Sequence, residues 1–415
     1  MTASPSSLAD FESYRDKFIA LASDTSCFQD EERLKELIHL LSRLRSIIQL
    51  RIGTEKSIST EFLQAILRIL HTIESSSSSS FLLEAAELST QCAMNSLYEN
   101  STAIDIFLQL QGTAALFHVL QLRIPPSLAY FIVKLLYMIF SSSASNAIHI
   151  LTLPSKLMDL NFSEVLVATF VSSVQSSIIT KHRRLLYVDC CKLLYAIEHF
   201  YQKTFTSDSK NSSNANSADL AAQRALLPSL KSIEKTLMLV QSNVVKILLL
   251  ESTRDLNIFQ CKLASLQLLL LADKKSLLSL TAVPGVLNSL YRLLDLLLCD
   301  YQSDAASVEF SLTTLLVLLH HICECSSSLR DELKTHLLPS LEELDALSAV
   351  RKEGEEEDKN APPKYPRHSR MAKLLSLLQS LNTTLNRTAS EVLFALCNQN
   401  GKRAYTVLYI HIFSI

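Results

Sequence analysis

Apolar residues return every three or four positions along almost the whole chain. In 62–70 (FLQAILRIL), Leu63, Ile66, Leu67 and Leu70 share one stripe of an α-helix. The same periodicity predicts further helices over 8–22, 33–50, 82–98, 103–121, 127–141, 162–178, 183–203, 219–250, 256–273, 286–299, 307–325, 329–347, 370–381 and 385–398. Serine and proline clusters at 75–80, 125–126, 141–143 and 326–328 separate them. Ser7 followed by Asp10 fits a capping box that opens the first helix.

Helix pairs return roughly every 40 residues, the spacing of armadillo and HEAT arrays. Several helices are apolar on more than one face, as in 134–140 (KLLYMIF) and 263–272 (LASLQLLLLA). Such helices need cover on both sides, which stacked repeats supply. The expected fold is all-α, an armadillo/HEAT-type right-handed α-solenoid in preference to a compact bundle. Residues 1–348 and 370–400 are assigned to repeats. A polar loop is expected over 205–218, and an acidic, proline-rich, disordered insertion over 349–369.

Composition narrows the function classes. Only 5 of 415 residues are glycine, all isolated, so no phosphate-cradling GxGxxG or GxxxxGK[ST] loop can form. A net charge of −2 gives no reason to expect nucleic acid. The nine cysteines contain no CxxC pair and sit mostly in leucine-rich runs, which together with a polar start implies a reducing, cytoplasmic setting. The apolar run 128–140 is interrupted by Lys134 and falls short of the roughly 20 residues that cross a bilayer, so a soluble protein without direct membrane insertion is expected.

Chemistry is sparse. His320, Cys323 and Glu324 would share a helix face at a spacing that could hold zinc, beside His321 and Cys325. No fourth ligand is identifiable, and a packed repeat helix is the stronger reading. Cys190 and Cys191, with Asp189, His182 and His199 nearby, suggest a nucleophile and base. Mid-helix thiols among leucines are better read as packing. No catalytic residue, metal or cofactor is expected. The basic residues Arg68, Lys134, Lys192, Arg370 and Arg387, with Asn95, interrupt otherwise apolar faces. Solvated faces explain most such residues. In a solenoid, however, the second helices of successive repeats line a groove, where Asn and Arg can hold a peptide or its carboxylate.

The C-terminal third carries a specific likeness. The run 318–341 (LLHHICECSSSLRDELKTHLLPSL) and the run 369–400 (SRMAKLLSLLQSLNTTLNRTASEVLFALCNQN) resemble the synembryn family of armadillo-repeat proteins. The matching features are Leu337-Leu338-Pro339, the helix with Arg370, and 389–397 (ASEVLFALC). Upstream, Arg68 falls at the arginine of the family's Leu-Gln-x-x-Arg-Ile-Leu helix, and Asn95 at the asparagine of its Cys-x-Cys-Asn step. Lys134-Leu135-Leu136 and Lys192-Leu193-Leu194 match its Arg-Leu-Leu and Lys-Val-Leu. The resemblance implies a guanine-nucleotide exchange factor and folding chaperone for heterotrimeric G-protein α subunits. Such a protein draws the C-terminal helix of Gα into a concave groove and promotes GDP release. It also implies a monomer that reaches the cell cortex or plasma membrane through Gα. After residue 400 the family continues into a glycine-rich stretch, so 401–415 reads as a divergent, truncated tail. The alternative is a non-catalytic armadillo adaptor for another peptide or client.

Overall fold

The computed structural model describes residues 8–50, 58–73, 79–122, 124–151, 162–174, 179–206, 240–250, 255–338 and 370–397, and every regular element among them is helical. The expectations placed on Ser7, 207–239, 349–369 and 401–415 lie outside the described residues. The chain divides into two compact units, Met1–Asn243 and Val244–Ile415.

The first unit contains α1 (Leu8–Ser23), α2 (Glu31–Gln49), α3 (Thr60–His71), α4 (Ser80–Leu97), α5 (Ser101–Gln109), α6 (Gly112–Gln121), α7 (Pro126–Ser142), α8 (Ala144–Leu151), α9 (Phe162–Val174) and α10 (Lys181–Thr206). Local chemistry fixes several starts. Asp30 accepts hydrogen bonds from the Glu32 and Arg33 amides at α2, and Ser59, Ser79 and Asn100 cap α3, α4 and α5. Pro126 occupies the first position of α7, where no amide donor is needed.

Packing sorts these helices into two rows. Helices α1, α3, α6 and α9 pack in succession, as do α2, α4, α7 and α10, and each member of one row also packs on its sequence neighbour in the other. The first-row helices begin at Leu8, Thr60, Gly112 and Phe162, so the steps are 52, 52 and 50 residues, longer than the spacing expected from sequence. A 3-10 turn (Thr25–Gln29), α5 and α8 occupy the connections and lengthen the repeat. Aromatic packing joins neighbours within the first row: Phe11 and Phe18 on α1 set their ring edges against Phe62 on α3, with centroids 6.3 and 5.6 Å away, and all three are fully buried.

The helix expected over 103–121 is two helices, bent by 66°. Gln111 takes the left-handed conformation at φ 58°, and a Cβ on Gly112 would overlap the Phe107 ring. Glycine permits that close approach.

Helix α11 (Val240–Leu249) includes the point where the units divide; the second unit then contains α12 (Leu256–Leu269), α13 (Lys274–Thr281), α14 (Val286–Ser303), α15 (Ala305–Cys325), α16 (Ser327–Leu337), α17 (Arg370–Ser376), a 3-10 turn (Leu377–Gln379) and α18 (Thr383–Leu396). Helix α13 was not expected. It is short, and Asp273 caps it by accepting from the Ser276 amide. The helix expected over 370–381 ends early, at Ser376, and tightens into the 3-10 turn. Helix α15 is central, packing on α12, α13, α14, α16 and α18, with Leu312, Leu315, Leu316 and Leu319 fully buried.

By length and composition α15 is apolar enough to cross a membrane, unlike the shorter run at 128–140, although half of its most apolar window is buried against these neighbours. The bent pairs α5–α6 and α13–α14 would also pass that test if each counted as one span.

Candidate partner-binding face

Among the described residues, α4 and α7 are covered on three sides and open on one, while α2 and α10 end the row. Each packs on its row neighbours and on the first row, which leaves a narrow stripe of accessible residues. On α4 the stripe is Glu84, Glu87, Leu88, Met94, Asn95 and Tyr98, with the nearly buried Gln91 in register. On α7 it includes Phe131, Lys134, Met138 and Ser141, and on α10 Val188, Lys192, Tyr195 and His199.

A cleft of about 790 Å3 opens between the C-terminal halves of α4 and α7 and the start of α5. Asn95 and Lys134 both line it, among Met94, Ile104, Tyr137 and Met138. Lys134 is held in place from its own helix: Nζ donates to the Tyr130 hydroxyl at 3.1 Å and lies 5.5 Å from that ring's centroid. Its charge meets no carboxylate among the described residues. The cleft therefore offers an amide, a cation without a carboxylate partner and apolar walls, with the Glu99 carboxylate also in its lining. Chemically, such groups can hydrogen-bond a carboxylate or carbonyl oxygens while the walls pack apolar side chains.

The other candidates have different surroundings. Lys192 lies on α10 in the same row, but Nζ is 3.0 Å from Oδ1 of the largely buried Asp189. Arg68 lies in the other row, on α3, and donates to Ser23 Oγ at 2.6 Å with no carboxylate partner among the described residues. Arg370 and Arg387 belong to the second unit. Arg370 is locked to both Asp295 oxygens and to the His336 carbonyl, and Arg387 meets Glu391 one turn along α18 at 2.8 Å. The structure thus brings Asn95 and Lys134 together at one cleft, sets Lys192 along the same row, and places the other three elsewhere.

The thiol clusters are packing residues. Cys190 and Cys191 are fully buried, and burial pushes the Cys190 thiol far up, opposite to what a nucleophile needs. Cys323 is fully buried too, its pKa pushed up to about 12 by desolvation. His320 turns instead toward Glu324, 3.8 Å away. Among the described residues no group of three His, Cys, Asp or Glu side chains is placed to hold a metal.

Sequence reasoning missed Tyr130, which positions Lys134, and Arg45 on α2, whose Nη1 donates to Gln91 Oε1 at 2.7 Å. The recurrence of 84, 87, 88, 91 and 95 on one helical face was available as a signal. Only the packing shows that this face stays open.

Among the described residues every regular element is helical, and the second-row helices α4, α7 and α10 each keep a stripe of accessible residues that mixes polar and apolar side chains. The sequence matches the family described as guanine nucleotide exchange factor synembryn over residues 40–406. The chain belongs to the synembryn family of guanine nucleotide exchange factors. No individual curated protein matches it significantly.

Proposed function

We propose that this chain is a guanine-nucleotide exchange factor and folding chaperone for heterotrimeric G-protein α subunits, built as an armadillo/HEAT-type right-handed α-solenoid. The observation that carries this reading is the cleft where Asn95 and Lys134 meet on the open face of a protein of the synembryn family. The two helix rows of the first unit support the solenoid, because that is how stacked repeats bury helices that are apolar on two faces.

In this reading the C-terminal helix of Gα lies on the second-row face. Lys134 supplies positive charge and Asn95 an amide to its polar groups, while Met94, Met138 and Tyr137 take its apolar side. Holding that helix away from its seat loosens the nucleotide pocket, so GDP leaves. No covalent bond is made or broken. What is required is tighter binding to the open state of Gα than to the closed one, about 5.5 kcal/mol for a near-complete switch.

The protein acts as a monomer in the cytoplasm and reaches the membrane through its partner. Arg68, Lys192, Arg370 and Arg387 are secondary candidates for partner contact. Lys192, Arg370 and Arg387 already neutralise a carboxylate, which leaves Arg68 the stronger of the four.

Pull-down of purified Gα, with and without GDP, tests the binding step. A complex that persists without nucleotide is the expected result. Failure to capture any Gα subunit, with a different client retained, would leave the chain an adaptor.

A further inference from the structure

The α4 face that carries Asn95 opens into a second cleft nearer the start of the helix. It encloses about 570 Å3 between α2, α4 and the beginning of α7. Its charged lining is Glu84, Glu87 and Arg45, and Leu83, Leu88 and Leu128 form apolar wall. Arg45 donates from Nη1 to Gln91 Oε1 at 2.7 Å, has its Nε shut off from solvent with no acceptor, and makes no ion pair among the described residues, so the two carboxylates and one guanidinium leave the cleft negative by one charge. Gln91, 9 % exposed, donates from Nε2 to Glu87 Oε1 at 3.4 Å, which leaves the second Glu87 oxygen free. Glu84 is exposed and makes no ion pair among the described residues.

Two carboxylates with open acceptor positions, above aliphatic walls, fit one kind of group. A lysine or arginine side chain can lay its methylenes on Leu83, Leu88 and Leu128 and bring its cationic head to Glu84 and Glu87. We propose that this cleft is a subsite for a basic side chain of the partner segment docked on the α4 face. The inference rests on the reading that this face takes a partner helix, and it adds a specificity requirement to that reading. Glu84 and Glu87 precede Asn95 by 11 and 8 residues, about 12–17 Å along the helix axis. A partner lying along α4 therefore needs its basic residue two to three turns from the group that meets Asn95 and Lys134.

The test uses the full chain, its Glu84→Gln/Glu87→Gln variant and its Glu84→Lys/Glu87→Lys variant. Two probes are titrated: GDP-loaded Gα, and a stapled helical peptide with one carboxylate and one lysine three turns apart. Charge reversal should weaken both about tenfold, and the isosteric glutamine variant less. Changing the peptide's lysine to glutamate should restore its binding to the charge-reversed protein. Peptide affinity indifferent to its lysine, or no restoration on the double reversal, overturns the subsite. If the peptide follows the charge pattern while Gα does not bind, the subsite stands and the exchange-factor reading of this face falls. If Gα binds and neither probe senses Glu84 and Glu87, the subsite falls and that reading stands.

Discussion

Arg370 and Asp295 form a two-pronged ion pair, with Nε 2.5 Å from Oδ1 and Nη2 2.6 Å from Oδ2. The pair ties the first residue of α17 to the middle of α14, and Arg370 Nη1 also donates to the His336 carbonyl at the end of α16. Hydrogen bonding to Asp295 raises the guanidinium pKa further above its already high value, so the charge is permanent. Paired geometry of this kind gives more than an ordinary surface ion pair, although both side chains remain 37 % exposed.

Arg370 should therefore act first as a clip. Arg370→Ala and Asp295→Ala should each lower stability by about 1 kcal/mol, and the double variant by little more than either alone. Urea unfolding of the four proteins measures this. A loss of partner binding in Arg370→Ala that Asp295→Ala does not share would instead assign the arginine to the interface.

Gly112 should resist substitution although it is the first residue of α6 and its backbone conformation is one alanine can adopt. A methyl there would overlap the Phe107 ring at the α5–α6 bend. Gly112→Ala should cost on the order of 1–3 kcal/mol, the usual range for overpacking, and Phe107→Leu on the same background should recover part of it. Denaturation midpoints of the single and double variants decide the matter.

Lys262 gives a pH signature. It is 2 % exposed on α12, and its Nζ meets Ser289 Oγ at 3.1 Å while that hydroxyl donates to the Leu248 carbonyl. Burial, with Arg292 adding repulsion, lowers its pKa to about 8 from the ordinary 10.5. The folded chain releases this proton near pH 8, whereas the unfolded chain keeps it to pH 10.5. Between those values the unfolded state binds more protons, so stability from this group rises with pH, and the full penalty is present below pH 8. Lys262→Met should raise the melting temperature by a few degrees at pH 7, at about 2–4 °C per kcal/mol, and the gain should shrink toward pH 10.5. A constant difference across that range would contradict the assignment.

Helices were legible because burial of one stripe writes its period into the sequence, as in Leu63, Ile66, Leu67 and Leu70 on α3. The bend at Gln111 was not legible, since it arises from one left-handed residue and the approach of Phe107 to Gly112. Asn95 and Lys134 could be picked out as polar breaks in apolar helices. Their meeting at one cleft depends on α4 packing on α7, which a single helix pattern does not encode. The role of Arg370 was hidden because its partner Asp295 lies 75 residues away. Arg68 looked equivalent to Asn95, yet row membership places it on α3, among the first-row helices.

In the proposed function the Asn95–Lys134 cleft takes hold of Gα and opens its nucleotide pocket. Stopped-flow release of fluorescent GDP from Gα, with the wild-type chain and with Lys134→Glu, measures it directly. The expected result is faster GDP release with the wild-type chain, and an acceleration reduced about tenfold or more by the variant at unchanged melting temperature, corresponding to ~1.4 kcal/mol for one lost charged contact. Wild-type release no faster than Gα alone, or acceleration that Lys134→Glu leaves untouched, would contradict it.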